Sequence, residues 1–195
     1  NSTYFLNINS EFYNLMESSQ SDLIKKIINY GHDIGIHLDT LANNLNDKNS
    51  LEDILNNQKK LFIRLFDLCP TAFSFHNPRK TDFNYENFLY EGLVNCYSKK
   101  FKDDLPYCSD SNGYWRYKKL KDVLNEATDF SLQVLTHPGW WQEKEMSPRT
   151  KVVRCIYGRA FYNIEKYDQE KENDQRLNIC SFNSKILFLK DINPK

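Results

Sequence analysis

Three of the four histidines in this 195-residue chain stand at the ends of short runs rich in apolar residues. The runs are HDIGIH, AFSFH and LQVLTH, and they end at His37, His76 and His137. Runs of this composition predict β-strands. If the strands are parallel, their carboxyl ends meet at one edge, and three imidazoles there would suit a zinc-like ion or acid–base catalysis. The alternative is that each histidine is bonded locally, as single histidines commonly are.

Asp39 follows His37 by two residues. In a continuing strand these two positions share a face, so the carboxylate could ligate the same metal or orient an imidazole. It could equally be a turn or cap residue before the polar stretch TLANNLND, since aspartate is common in turns. Both interpretations stay open at this point.

A loop with the sequence SDSNGYWRY brings together an acid, an indole and a guanidinium group, in Asp110, Trp115 and Arg116. These groups suit a sugar, because the polar groups bond hydroxyls and the indole covers one face of the ring. The stretch THPGWWQ adds Trp140, three residues after His137. The alternative for the first loop is a turn with one buried tryptophan.

The elements that would position these residues alternate between strands and helices. TYFLNI at 3–8 predicts a strand, followed by a helix capped by Ser21 and ended by Gly31. The second helix is predicted to begin at Ser50, where Ser50 and Asp53 form a capping pattern before LEDILNNQKKLFIRLF. Further predicted elements are strands at 32–38, 71–76, 95–99, 131–137 and 185–190, and helices near 85–93, 119–127 and 149–166.

This alternation predicts an α/β fold with a parallel sheet, either open or closed into a barrel. Ligands of such folds bind at the carboxyl ends of the strands. No repeat or linker interrupts the chain, so one domain is expected over residues 1–195.

Composition excludes several classes of function. Acidic and basic residues balance at 26 each, so no net field attracts nucleic acid. No run of about 18 apolar residues exists to span a membrane.

The five cysteines are widely spaced without a C-x-x-C pair, which indicates a reduced, cytoplasmic protein and leaves pairing of some of them open. The oligomeric state is not indicated by the sequence.

The order of motifs TYFLN, GHDIGIHLD, FSFHNP, SDSNGYW and LQVLTHPGWW, from Thr3 to Trp141, resembles the polysaccharide deacetylase family, carbohydrate esterase family 4. The resemblance implies a distorted (β/α) barrel that uses a divalent metal, usually zinc. It also implies a hydrolase that removes N- or O-acetyl groups from a glycan or glycan precursor.

The resemblance also assigns the metal ligands. GHDIGIH matches the family's histidine motif and makes His37 a ligand. The family's second histidine falls at Leu41 and is absent here. His76 stands where the family has an arginine before a proline, so it is expected to supply the missing ligand, with Asp39 assisting.

The remaining site residues follow from the later motifs. LTH matches the motif of the catalytic histidine, which makes His137 the proton donor. The residues expected to hold the substrate are Asn77, Asp110, Trp115, Arg116 and Trp140.

This chain departs from the family at its front. The family's first strand carries two aspartates, a base and a metal ligand, and TYFLNI corresponds to the second strand. We therefore expect either a fragment or a fold that has lost its base, with TYFLNI as an edge strand. Three alternatives are a non-catalytic glycan-binding protein, a metal-dependent hydrolase of another amide or ester, and a structural protein whose histidines only pack.

Overall fold

A computed structural model describes residues 1–46, 50–115, 118–126 and 130–176 of the chain. It divides into a first unit, Asn1–Pro148, and a second unit that begins at Arg149. The strand predicted at 185–190 lies outside the described residues. The single domain predicted over residues 1–195 stays a prediction.

The first unit holds all the described strands and four helices. The strands are β1 (Thr3–Leu6), β2 (Asp33–Asp39), β3 (Ala72–His76), β4 (Leu89–Tyr90), β5 (Leu93–Asn95), β6 (Tyr107–Ser109) and β7 (Gln133–Leu135). The helices are α1 (Ser18–Asn29), α2 (Leu51–Phe66), α3 (Lys99–Asp104) and α4 (Leu120–Glu126). Short 3-10 turns cover Lys80–Asn84, Ser111–Gly113 and Pro138–Trp140.

Five strands form one sheet in the order β1-β2-β3-β5-β4. The pairs β1–β2, β2–β3 and β3–β5 are parallel, and only β4–β5 is antiparallel. Strands β6 and β7 form a second, parallel pair. The α/β class with a mainly parallel sheet is confirmed, and β1 is an outer strand of its sheet, as predicted.

The core packs α2 against the middle of the larger sheet. Ile36 and Leu38 of β2 and Phe73 of β3 are fully buried, as are Leu55 and Phe62 of α2. Central parallel strands are typically buried on both faces, which explains the dense apolar runs that predicted them. The strands are therefore rigidly held, and so are the side chains at their ends.

The ends of the first two helices are set by local hydrogen bonds. Gly31, at φ +79°, follows α1, and the N–H groups of Gly31 and His32 bond the carbonyls of Ile28 and Ile27. This is the glycine-terminated helix end that was predicted. The capping of α2 by Ser50 is also confirmed, because its hydroxyl accepts the Asp53 N–H at 3.1 Å.

Three predicted elements are wrong. In place of the strand predicted at 95–99, β5 ends at Asn95 and Ser98 caps α3. Helix α1 begins at Ser18 with Glu17 as its N-cap, so Ser21 lies inside the helix. The helix predicted near 85–93 is the hairpin of β4 and β5. Its two turn residues, Glu91 and Gly92, have φ of 50° and 77°, and such a left-handed pair joins adjacent antiparallel strands in a two-residue loop.

Helix α5 (Pro148–Asn173) lies in the second unit from Arg149 onward, and it extends beyond the helix predicted at 149–166. No residue of α5 is buried. Within the described parts of the chain, no helix combines the length and apolarity needed to cross a membrane.

Gly35 provides a test of the register between β1 and β2. A Cβ at this position would lie 2.5 Å from a ring carbon of Phe5 and 3.0 Å from the Ala72 carbonyl oxygen. We expect Gly35→Ala to lower the free energy of unfolding by about 1–3 kcal/mol, the usual effect of overpacking, in urea denaturation.

The matched control is Gly158→Ala on α5, where an added Cβ meets no atom within 4 Å. It should leave stability equal or raise it, because alanine favours a helix. A second change, Phe5→Leu, should restore part of the stability that Gly35→Ala loses. Equal stability of Gly35→Ala and the parent would contradict this packing.

Candidate active site

Two histidines meet where β2 and β3 run side by side. His37 lies two residues before the end of β2, and His76 is the last residue of β3. His37 Nε2 and His76 Nδ1 are 3.1 Å apart, and the two rings meet edge to face. The parallel register pairs Asp39 with His76 and His37 with Ser74, which places both imidazoles on neighbouring strand positions. The predicted approach of His37 and His76 is therefore present in the structure.

Each ring is held at its other nitrogen as well. His37 Nδ1 is 2.8 Å from Ser74 Oγ, and His76 Nε2 is 3.1 Å from Asn77 Nδ2. Asn77 was predicted to hold substrate, and its contact in the structure is with His76. Ser74 was not identified from the sequence, because a serine in an apolar strand gives no signal until the strand register is known. Such contacts orient the rings and select the nitrogen that carries the proton.

The pair can be compared with what a metal ion requires. Two zinc–nitrogen bonds of about 2.0–2.1 Å at a tetrahedral angle separate the nitrogens by about 3.4 Å. The observed separation of 3.1 Å needs only a small adjustment. For both rings to bind one metal ion, His37 must carry its proton on Nδ1, which faces Ser74. His76 must carry its proton on Nε2, which faces Asn77. Asn77 must then turn its amide oxygen toward His76, a reversal that its side chain allows.

Asp39 contributes less directly. Its Oδ1 accepts hydrogen bonds from the backbone N–H groups of Leu41 and Ala42 at 3.0 and 2.9 Å. This oxygen therefore has the turn-capping role that was the alternative to metal binding. In the part of the chain that the structure describes, no group of three or more His, Cys, Asp or Glu side chains gathers to hold a metal. His37 and His76 thus fit two positions of a metal site without completing it.

The electrostatics of the site favour a neutral His37. Burial, followed by the neighbouring His76 and then His137, lowers the pKa of His37 to about 3, while Asp39 acts in the opposite direction. Neutral imidazole is the form that binds metals. His137, which contributes to this lowering, follows β7 of the second sheet. A direct bond joins the two sheets, from Gln133 Nε2 to the Cys96 carbonyl at 3.0 Å.

Asp110 and His137 form a second pair, at the ends of β6 and β7. His137 Nδ1 lies 2.7 Å from Asp110 Oδ1, and the His137 backbone N–H donates to Asp110 Oδ2 at 3.1 Å. Asp110 is buried, so its carboxylate holds the imidazole in one orientation. Asp110 was predicted as a substrate ligand, but both of its oxygens bond His137. The sequence could not indicate this contact, because it depends on the pairing of β6 with β7.

The predicted tryptophans differ in their positions. The Trp140 ring lies 6.2 Å from that of His137, and its indole N–H is buried without a partner among the described residues. Trp115 is half-buried, five residues after Asp110. Arg116 lies outside the described residues.

A buried carboxylate that the sequence did not indicate joins the loops after β2 and β3. Asp82 is fully buried and accepts the Thr40 hydroxyl at 2.9 Å and the Arg79 backbone N–H at 2.7 Å. The Arg79 guanidinium also bonds it at 3.2 Å. These bonds fix the two loops that flank His37 and His76.

Comparisons with models of protein families, with curated proteins and with solved structures find no match to this chain. A functional conclusion therefore depends on the residues and their geometry. The two paired groups, His37 with His76 and Asp110 with His137, carry that conclusion.

The lowered pKa of His37 predicts how stability depends on pH. Between about pH 6.5 and 3 the unfolded chain protonates this residue and the folded chain does not. Acid therefore favours unfolding, and the metal-free protein should lose stability as the pH falls through this range. His37→Gln should lose less over the same range, as measured by urea denaturation at a series of pH values.

The ring itself can be followed by NMR of histidine nitrogens in the metal-free protein. We expect the His37 ring to remain neutral at pH 5. Titration of this ring near pH 6.5 would contradict its burial and its contact with His76.

Proposed function

We propose that this protein is a metal-dependent hydrolase that removes an acyl group, such as acetyl, from an amine or hydroxyl of a sugar. Its substrate would be a glycan or glycan precursor, and its fold the distorted (β/α) barrel of the polysaccharide deacetylases. One observation carries the proposal: His37 Nε2 and His76 Nδ1 stand 3.1 Å apart at the edge of a parallel sheet, close to the separation that a shared zinc ion requires.

The first pair would hold a divalent ion, zinc being the expected one. His37 Nε2 and His76 Nδ1 are the donor atoms, and Ser74 and Asn77 fix the rings that carry them. Asp39 would assist from the end of β2. When bound, such an ion polarises an acyl carbonyl and lowers the pKa of water.

His137 would supply the proton for the leaving group. Asp110 bonds its Nδ1, so Nε2 is the nitrogen left to meet the substrate. The buried carboxylate fixes the ring, and His137 would pass a proton from Nε2 to a departing amine or alkoxide. Trp140, whose ring lies 6.2 Å from that of His137, would offer the sugar an indole face. Trp115 would extend the sugar contacts along the loop that carries Asp110.

The proton-donor role predicts the effect of His137→Ala. Acetate release from an N-acetylated oligosaccharide should fall by about 10²–10⁴-fold, the usual contribution of a general acid. Zinc content should stay equal to that of the parent, because His137 bonds Asp110 and is not a donor to the ion. The matched control is His32→Ala, since His32 contacts Ser2 and Tyr4 away from both pairs. Loss of zinc from His137→Ala would reassign the residue to metal binding.

The orienting role of Ser74 predicts a change in metal affinity alone. Ser74→Ala leaves the His37 Nδ1–H without an acceptor, so zinc affinity measured by competition with a chelator should fall by about 10-fold or more. The control is Ser109→Ala, because the Ser109 hydroxyl bonds Ser111 and neither histidine of the pair. It should leave the zinc affinity unchanged. Equal affinities for Ser74→Ala and the parent would show that Ser74 does not set the ring.

A second candidate function is non-catalytic glycan binding. It is favoured by one observation, that the described residues gather no group of three metal donors. Saturable binding of an acetylated oligosaccharide without acetate release, in the presence of zinc, would support glycan binding over hydrolysis. Acetate release that depends on zinc and on His137 would support the hydrolase.

A further inference from the structure

A cleft of about 330 Å³ opens between α2 and the segments that follow β1 and β2. Its lining combines three aliphatic side chains with three amides and includes no charged group. The lining residues are Ile8, Asn43, Ile54, Asn57, Gln58 and Leu61. None of them belongs to the two pairs of the proposed active site.

Hydrogen bonds determine how the amides of this cleft are oriented. Asn43 Nδ2 lies 2.7 Å from the Asp39 carbonyl oxygen, which can only accept, so the amide nitrogen must stand there. The same nitrogen donates to Asn9 Oδ1 at 2.9 Å. Asn43 therefore turns its own oxygen toward Gln58, whose Nε2 donates to it at 3.1 Å.

This arrangement leaves Gln58 Oε1 as the remaining polar atom. Gln58 is only 3% exposed, and its Oε1 has no hydrogen-bond partner among the described residues. An amide oxygen that is buried without a donor destabilises the folded protein. Turning the amide over would not help, since it would place two oxygens against each other at Asn43. Gln58 is thus a lining residue of the cleft whose side chain holds a fixed, unused acceptor.

We propose that this cleft binds one neutral sugar ring, with Gln58 Oε1 accepting a hydrogen bond from a hydroxyl or amide of the ligand. The volume lies at the lower end of the range for small-molecule sites. Ile8, Ile54 and Leu61 offer an aliphatic surface for one face of the ring. The uncharged lining gives no counter-ion to a phosphate or a carboxylate, so a neutral ligand is favoured.

The cleft lies beside the proposed active site and is separate from it. Asn43 bonds the backbone of Asp39, two residues after His37, so both sites are on the same edge of the larger sheet. The proposal does not depend on hydrolysis, because no residue of either pair lines the cleft.

The test is a titration of the ¹⁵N-labelled full chain with N-acetylglucosamine and, separately, with glucose. The side-chain amide signals of Asn43, Asn57 and Gln58 should shift saturably. Inorganic phosphate, as a charged probe, should not shift them. N-acetylglucosamine should compete with glucose if both occupy the same cleft.

Gln58→Leu removes the acceptor and fills a similar volume. Its affinity for the sugar should fall by about 10-fold or more, the effect of losing one hydrogen bond in a buried site. Gln58→Leu also removes the Nε2 donor to Asn43 Oδ1, so its thermal stability is measured beside its sugar affinity. Gln20→Leu on α1 is the matched control and should keep the parent's affinity. Should Gln58→Leu fail to fold, Asn57→Ala on the exposed rim gives the same test and should also weaken binding.

Two results would overturn the proposal. One is that neither sugar shifts the side-chain amide signals saturably. The other is that Gln58→Leu or Asn57→Ala binds the sugar with the parent's affinity. His137→Ala separates this proposal from the catalytic one, since it should lower acetate release by about 10²–10⁴-fold and retain sugar binding in the cleft. Loss of this binding in His137→Ala would place the sugar at the active site instead.

Discussion

The parallel register of β2 and β3 is the constraint on which the site depends. It pairs His37 with Ser74 and Asp39 with His76, so four polar side chains on two strands become neighbours. The fully buried Ile36, Leu38, Phe73 and Phe75 on the same strands hold this register. A shift by one residue would turn the imidazoles toward the apolar core and move those apolar side chains out of it, which would be strongly unfavourable. The apolar core therefore also fixes the geometry of the histidines.

Beyond the two strands, buried polar groups position the loops. Asp82 ties the loop after β3 to Thr40 after β2. Asp110 ties His137 to the end of β6. Each carboxylate is buried, and each is bonded through both oxygens or to several donors, which offsets the loss of hydration. These two carboxylates thus hold the loops at the strand ends in place around the histidines.

Much of this architecture could be predicted from the sequence, and the reasons for the failures are physical. Strands β2 and β3 and helix α2 follow from long apolar patterns and a cap at Ser50. The hairpin at Glu91 and Gly92 was missed because its strands are too short to show a period. Ser74 and the role of Asp110 were missed because each depends on strand pairing between residues far apart in the chain. The histidines were found because their types alone indicate chemistry, whereas Gln58 and Asp82 resemble ordinary helix and turn residues until their burial is known.

The central claim is that His37 and His76 hold one metal ion. X-ray absorption at the zinc edge of the zinc-loaded protein measures this most directly, because it counts imidazole ligands and their distances. We expect two imidazole nitrogens at about 2.0–2.1 Å in the parent. In His76→Ala one of them should be lost, and in His137→Ala both should remain. A spectrum without imidazole ligands, or one that His76→Ala leaves unchanged, would contradict the claim.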